Sequence, residues 1–142
     1  MFDKYVFDET VSVGICFGTF DLLHAGHIAL LTEASLHCDF LVVGLQSDPT
    51  IDRPEKNKPI QGLSERYIQL SAVKYVDMII PYDTEADLLN ILKTVPIKYR
   101  FLGTDYVGKQ FTGKDISDIK VIYINRFHNF SSSELRNRIK GK

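Results

Sequence analysis

His24 and His27 stand three residues apart in the stretch GTFDLLHAGHI (residues 18–28), directly behind the apolar run VSVGICF (residues 11–17). On a helix, positions i and i+3 share a face, so both imidazoles can point at one spot. Gly18 lets the backbone approach a ligand with no Cβ in the way. A helix opening just after this turn directs unsatisfied N–H groups and a partial positive charge at the same place. Taken singly, each histidine reads as a polar helix cap or a hydrogen-bonded core residue. The pair at HxGH spacing, after a strand and Gly18-Thr19, reads as a phosphate site suited to a nucleoside triphosphate. The pattern is neither the GxxxxGK[ST] loop nor the GxGxxG fingerprint.

Further charged and hydroxyl groups are spaced along the chain. The loop Arg53-Pro54-Glu55-Lys56-Asn57-Lys58-Pro59 carries a lysine pair, Lys56 and Lys58, which by spacing alone reads as solvated. Arg126 precedes Ser131-Ser132-Ser133, and Ser131 with Glu134 has capping-box spacing, so a helix N-terminus there could cap itself, bind an anion, or do both. Asp21 reads as a residue that holds the turn or assists a metal rather than as a base. Asp105 reads either as a nucleotide contact or as an exposed turn residue. His37 and His128 read as structural.

The elements that must position these groups follow from periodicity. Residues 11–17 read as a buried strand, and Ile28, Leu31, Ala34 and Leu36 mark a helix over 27–36. The continuous apolar run Asp39–Leu45 predicts a strand covered on both faces. Residues 46–62, with Pro49, Pro54 and Pro59, read as a long loop, of a length that is usually functional or disordered. A helix over Leu63–Lys74, a strand over Val76–Ile80 closed by Pro81, and a helix over Asp87–Thr94 opened by the box at Thr84 follow. A strand at Tyr99–Leu102, a loop at Gly103–Gly113, a strand at Val121–Ile124 and a helix from Ser132 complete the chain. Strands alternating with helices predict a Rossmann-like, doubly wound parallel α/β sheet of about five strands in a single domain over 11–142, with a lead-in at 1–10. In such sheets ligands bind beyond the C-terminal strand ends, where the strand order reverses, and the motif lies there.

Composition bounds the partners. The 142 residues, with 17 basic and 18 acidic side chains and a net charge of −1, provide no global field for nucleic acid, so any anion site is local. The two cysteines, Cys16 and Cys38, lack metal spacing and read as reduced, packed thiols. The acidic N-terminus MFDKYVFDE lacks a signal-peptide core, and no apolar stretch approaches the ~20 residues a membrane span needs. A cytoplasmic protein without membrane partners is the expectation.

GTFDLLHAGH closely resembles the (H/T)xGH motif of the nucleotidyltransferase superfamily, and its FDLLHxGH form resembles the cytidylyltransferase branch, especially the bacterial glycerol-3-phosphate cytidylyltransferases. The resemblance runs from about Val11 to Ile139 and takes in Glu65-Arg66, Tyr75-Val76-Asp77 and Gly103-Thr104-Asp105-Tyr106. The serine run after Arg126 corresponds in position to the branch's RTxGISTT signature, with Phe127, Asn129 and Phe130 at differing positions. Lys74 stands where the branch has an arginine.

The resemblance implies attack of a phosphomonoester oxygen on the α-phosphorus of CTP, with glycerol 3-phosphate or a similar small phosphorylated alcohol as acceptor. It implies a triphosphate held by His24, His27 and the backbone of Gly18, Thr19 and Phe20. Lys56, Lys58, Arg126, Ser132 and Ser133 would hold phosphates, and Arg66 and Lys74 would lie near the acceptor. Mg²⁺ would travel on the triphosphate rather than in a protein cage. By analogy a homodimer is expected. Two alternatives stay open: an adenylyltransferase of the heptose-phosphate or FAD synthetase type, and a nucleotide-binding regulatory protein.

Overall fold

β1 (Val13–Gly18) is buried along its first four residues, as its Val, Ile and Cys side chains require. The computed structural model describes residues 8–126 and 128–141, so the expectations placed on residues 1–7 of the lead-in and on Phe127 lie outside the described residues. Of the rest of the lead-in, residues 8–10 are exposed.

Four further strands join β1: β2 (Phe40–Gln46), β3 (Met78–Tyr82), β4 (Tyr99–Gly103) and β5 (Lys120–Ile124). All pair in parallel, in the order β3-β2-β1-β4-β5. The helices are α1 (Ala25–Ser35), α2 (Leu63–Ser71), α3 (Glu85–Thr94) and α4 (Ser132–Lys140). This is the doubly wound sheet predicted from the sequence. The chain steps outward from β1 to β3 and then returns to the other side of β1, so the order reverses between β1 and β4, where a crevice opens at the C-terminal strand ends.

Strand alternation divides the core. Cys16, Leu41, Val43, Leu45, Phe101 and Ile124 pack with Leu31 and Ala34 of α1 and Leu70 of α2. Val13, Ile15, Val42, Ile80 and Tyr82 pack on the other face with Leu88, Ile91 and Leu92 of α3. Each fully buried Val, Leu or Ile contributes about 1.5–3 kcal/mol. The central strand β2 is buried on both faces over five residues, as its unbroken apolar run requires. Among the described residues no helix is long and apolar enough to cross a membrane.

Several boundaries differ from the reading of the sequence. Pro81 lies inside β3 rather than after it, in register with Leu45. It is tolerated because β3 is an edge strand, where alternate N–H groups have no strand partner. α1 ends at Ser35, and Leu36, expected on its apolar stripe, is a largely exposed C-cap. α2 ends at Ser71, three residues earlier than expected. The boxes at Thr84 and Ser131 form as predicted, with hydroxyls accepting from Asp87 N and Glu134 N.

Candidate active site

The motif turn is held by Asp21, which is 6% exposed. Its carboxylate accepts from Ile60 N (2.9 Å) and Gln61 N (3.0 Å), and Arg136 of α4 lies 3.3 Å away. Leu22 N donates to Gln61 Oε1 and Ser132 Oγ donates to Asp21 O. One turn is thereby tied to the start of α2 and to the first turns of α4. The flanking residues Phe20 (φ 49°) and Leu22 (φ 51°) occupy the left-handed region. Such strain, of order 1 kcal/mol or more per residue, persists only where surrounding bonds over-determine it. The sequence reading singled out Gly18 for close approach of the backbone to a ligand. In the structure Gly18 ends β1 and the left-handed conformations of the reversal fall after it, on Phe20 and Leu22.

That geometry delivers the two histidines. His24 is the N-cap of α1, its Nδ1 accepting from Gly26 N at 3.0 Å. His27 Nδ1 accepts from His24 N at 3.2 Å. A ring nitrogen that accepts carries no proton, so these bonds assign both imidazoles as Nε2–H tautomers with that N–H left to donate. Their ring centroids are 3.9 Å apart. Burial, then the charges of Arg126 and His128, holds His24 below the usual histidine range. Burial, then His24, takes His27 down to about 4 against the opposing pull of Asp21. At neutral pH the pair is a neutral double donor.

Two clefts meet at Ser132, whose hydroxyl donates to Asp21 O of this turn. The first, about 300 Å³, lies between α1, the ends of β4 and β5, and the start of α4. His24, His27, Asp105, Arg126, Ser131 and Ser132 line it with the apolar Leu30, Ile124 and Phe130. Arg126 Nη2 donates to Phe130 O, which fixes the loop entering α4. The second, about 420 Å³, lies between β1, the 46–62 loop, α3 and the loop after β4. It is lined by Gly18, Thr19, Asp21, Lys56, Lys58 and Arg136, and Ser132 borders both clefts. The structure thus gathers most of the expected residues at one sheet edge. In the 46–62 loop, which includes a 3₁₀ turn at Pro49–Ile51, Arg53 is paired to Glu85 at 2.6 Å and Lys58 Nζ stands 3.8 Å from Asp48.

Three expected residues are placed otherwise. Arg66 is 1% exposed and donates to the carbonyls of Gln61, Thr19, Gln46 and Ser47. Its guanidinium is consumed in fastening loops, so it is structural rather than acceptor-binding. Lys74 follows α2, which runs back to the N-terminal edge of the sheet, so it lies at the edge opposite the clefts, over the Tyr75 ring. Ser133 is exposed and lines neither cleft, because one residue along the helix turns it away from Ser132. The Phe20 ring is buried and packs against His27.

The sequence reading missed Arg136, although its i+4 spacing from Ser132 was a usable signal of a shared face. It also missed Arg53, Tyr82 and Arg100 in the second cleft; nothing in the local sequence marks these.

A parallel sheet with a switch-point crevice and a neutral HxGH donor pair defines a nucleotide-handling α/β domain. The chain belongs to the cytidylyltransferase-like family of nucleotidyltransferases, whose sequence profile matches residues 15–138. It is 35% identical over 126 residues to the bifunctional protein HldE of Campylobacter fetus, covering 87% of this chain and 27% of that one. It is 30% identical over 139 residues to the bifunctional protein HldE of Nitrobacter hamburgensis, covering 95% and 28%. The chain therefore spans about a quarter of the length of these relatives. The crystal structure of the lipopolysaccharide core biosynthesis protein from Thermoplasma volcanium superposes with a TM-score of 0.69 at 27% identity, covering 83% of this chain and 99% of that one.

Proposed function

We propose that this chain is an adenylyltransferase that moves AMP from ATP to a sugar phosphate of the heptose-phosphate type, releasing pyrophosphate. The observation that carries the nucleotidyl-transfer part is the neutral His24–His27 donor pair lining the first cleft, which shares Ser132 with the second. The likeness to the relatives named HldE and to the lipopolysaccharide core biosynthesis protein supports the adenylyl and sugar part.

In this reading the nucleoside occupies the first cleft, its triphosphate reaches past Ser132, which borders both clefts, toward Lys56 and Lys58, and the acceptor fills the rest of the second. An acceptor phosphate oxygen forms a bond to the α-phosphorus while the bond from that phosphorus to the α–β bridging oxygen breaks. The nucleophile is already an anion at neutral pH, so positioning and charge neutralisation dominate. The Nε2–H groups of His24 and His27 donate to phosphate oxygens, and their neutrality leaves the proton inventory unchanged. Lys56, Lys58 and Arg126 offset the charge gathering on the leaving pyrophosphate. Asp21 has both oxygens engaged and holds the turn. The proposed Mg²⁺ is held through the triphosphate's own oxygens and water.

The second cleft suits a sugar better than a three-carbon alcohol, because Gln46, Asp52, Asn57 and Gln110 offer hydroxyl partners over a wide surface. CTP with glycerol 3-phosphate remains the second reading, favoured by Arg126 ahead of the serine run. A panel of ATP and CTP crossed with sugar 1-phosphates and glycerol 3-phosphate, read by pyrophosphate release, decides between them. At least tenfold preference for ATP with a sugar phosphate is expected. Preference for CTP with glycerol 3-phosphate would replace the reading with the second one, and release with no pair would reject both.

A further inference from the structure

Arg100 lies in β4 with its neighbour Phe101 packed into the α1 side of the sheet, so alternation sends Arg100 out on the α3 side, into the second cleft. It is 4% exposed, and among the described residues it forms no ion pair. Nη1 donates to Thr112 O, and Nη2 has no hydrogen bond among the described residues. Nε is the one buried side-chain nitrogen or oxygen among them without a partner. The Glu85 carboxylate acts on it across the cleft but is paired to Arg53 at 2.6 Å, and an arginine offers five N–H donors of which this one has a single donor engaged.

The surroundings hold the guanidinium plane rather than satisfy its N–H groups. The Phe17 and Phe111 rings stand 5.1 Å and 5.0 Å from it. Phe17 can take that position because Gly44 has no Cβ to meet its ring. Gly113 has φ +84°, and a Cβ there would stand 3.1 Å from Nη1. A stacked guanidinium presents its edge for fork-like recognition of an oxyanion.

We propose that Arg100 is the oxyanion-binding floor of the acceptor cleft, its uncommitted N–H groups holding a phosphate or carboxylate oxygen of the acceptor. This rests on reading the second cleft as the acceptor site. The oxyanion is either the reacting phosphate itself or a second acidic group at the far end of the acceptor.

Wild type and Arg100→Met are compared with glucose 1-phosphate, glucuronic acid 1-phosphate and glucose 1,6-bisphosphate as acceptors. Acceptor KM is expected to rise about tenfold or more, the scale for losing a charge-assisted contact, while ATP KM stays within about twofold. An equal rise for all three acceptors identifies the reacting phosphate, and a rise confined to the last two identifies a second acidic group. Either upholds the assignment. Calorimetric titration with inorganic phosphate, without nucleotide, is expected to weaken about fivefold in the variant. That titration stands even if no acceptor turns over, so it separates this inference from the enzymatic reading. Where Arg100→Met fails to fold, Arg100→Lys is measured instead, with a loss of about threefold expected from exchanging a planar fork for a point charge. Unchanged acceptor KM together with unchanged phosphate binding in a folded variant overturns the assignment. So does an equal rise in ATP KM, which marks a general disturbance of the fold.

Discussion

Asp21→Asn removes one charge and one acceptor oxygen from the centre of the motif turn and changes almost no volume. The carboxylate receives Ile60 N at 2.9 Å and Gln61 N at 3.0 Å, with Arg136 at 3.3 Å. An amide has one oxygen for these donors and turns its NH₂ toward another, so at least one hydrogen bond to a charged acceptor is lost. That loss costs about 1.5–3 kcal/mol, and Arg136 left beside a neutral group adds to it, for a total of about 2–4 kcal/mol. At roughly 3 °C per kcal/mol for a chain of this size, the melting temperature should fall by about 6–12 °C. The bonds that hold Phe20 and Leu22 at positive φ weaken at the same time. Displacing His24 and His27 by ~1 Å should lower kcat about 100-fold. Thermal melts and initial rates of pyrophosphate release on one preparation read both effects. A variant melting within about 2 °C of wild type and turning over within about threefold would show that the carboxylate does not hold the turn.

His24→Ala and His27→Ala should each lower kcat by about 10² or more, the scale for losing one preorganised donor, with circular dichroism showing the fold retained; near-normal rates in both would remove the pair from catalysis. Because the folded pKa of His27 lies near 4, below its unfolded value of 6.5, its neutral form is the one folding favours. Its contribution to stability is complete above pH 6.5 and is lost as pH falls toward 4, amounting to about 3 kcal/mol. Urea titrations of wild type and His27→Gln across that window should diverge with rising pH, and parallel curves would contradict the depressed pKa. In the 46–62 loop, residues 53–59 are exposed apart from Pro59, and ATP with Mg²⁺ should slow amide exchange across this stretch; identical exchange with and without nucleotide would show that the loop does not close over it.

Much of the fold was legible because local patterns carried it. The two-sided burial of β2 is written in its unbroken apolar run, and the caps of α3 and α4 are written in Thr84/Asp87 and Ser131/Glu134. The histidine pair was legible for the same reason, its spacing and its glycine being local. What escaped depends on distance along the chain. Arg66 reads as a free cation until it meets the carbonyl of Thr19, 47 residues away, and Arg136 meets Asp21 across 115. Lys74 was misplaced because its position depends on the direction in which α2 runs back along the sheet. Arg100 carries no local signal, and only the closing of Phe111 and Gly113 over it shows a buried guanidinium with one donor engaged.

Where the label of the nucleotide goes tests the central claim most directly. The enzyme is incubated with Mg²⁺ and a sugar 1-phosphate, with ATP labelled at the α-phosphorus in one reaction and at the γ-phosphorus in a second. Nucleotidyl transfer predicts that the α label appears in a nucleoside diphosphate sugar and the γ label in pyrophosphate. A γ label found on the acceptor or in inorganic phosphate, or no movement of either label with any acceptor or with CTP in place of ATP, would contradict it.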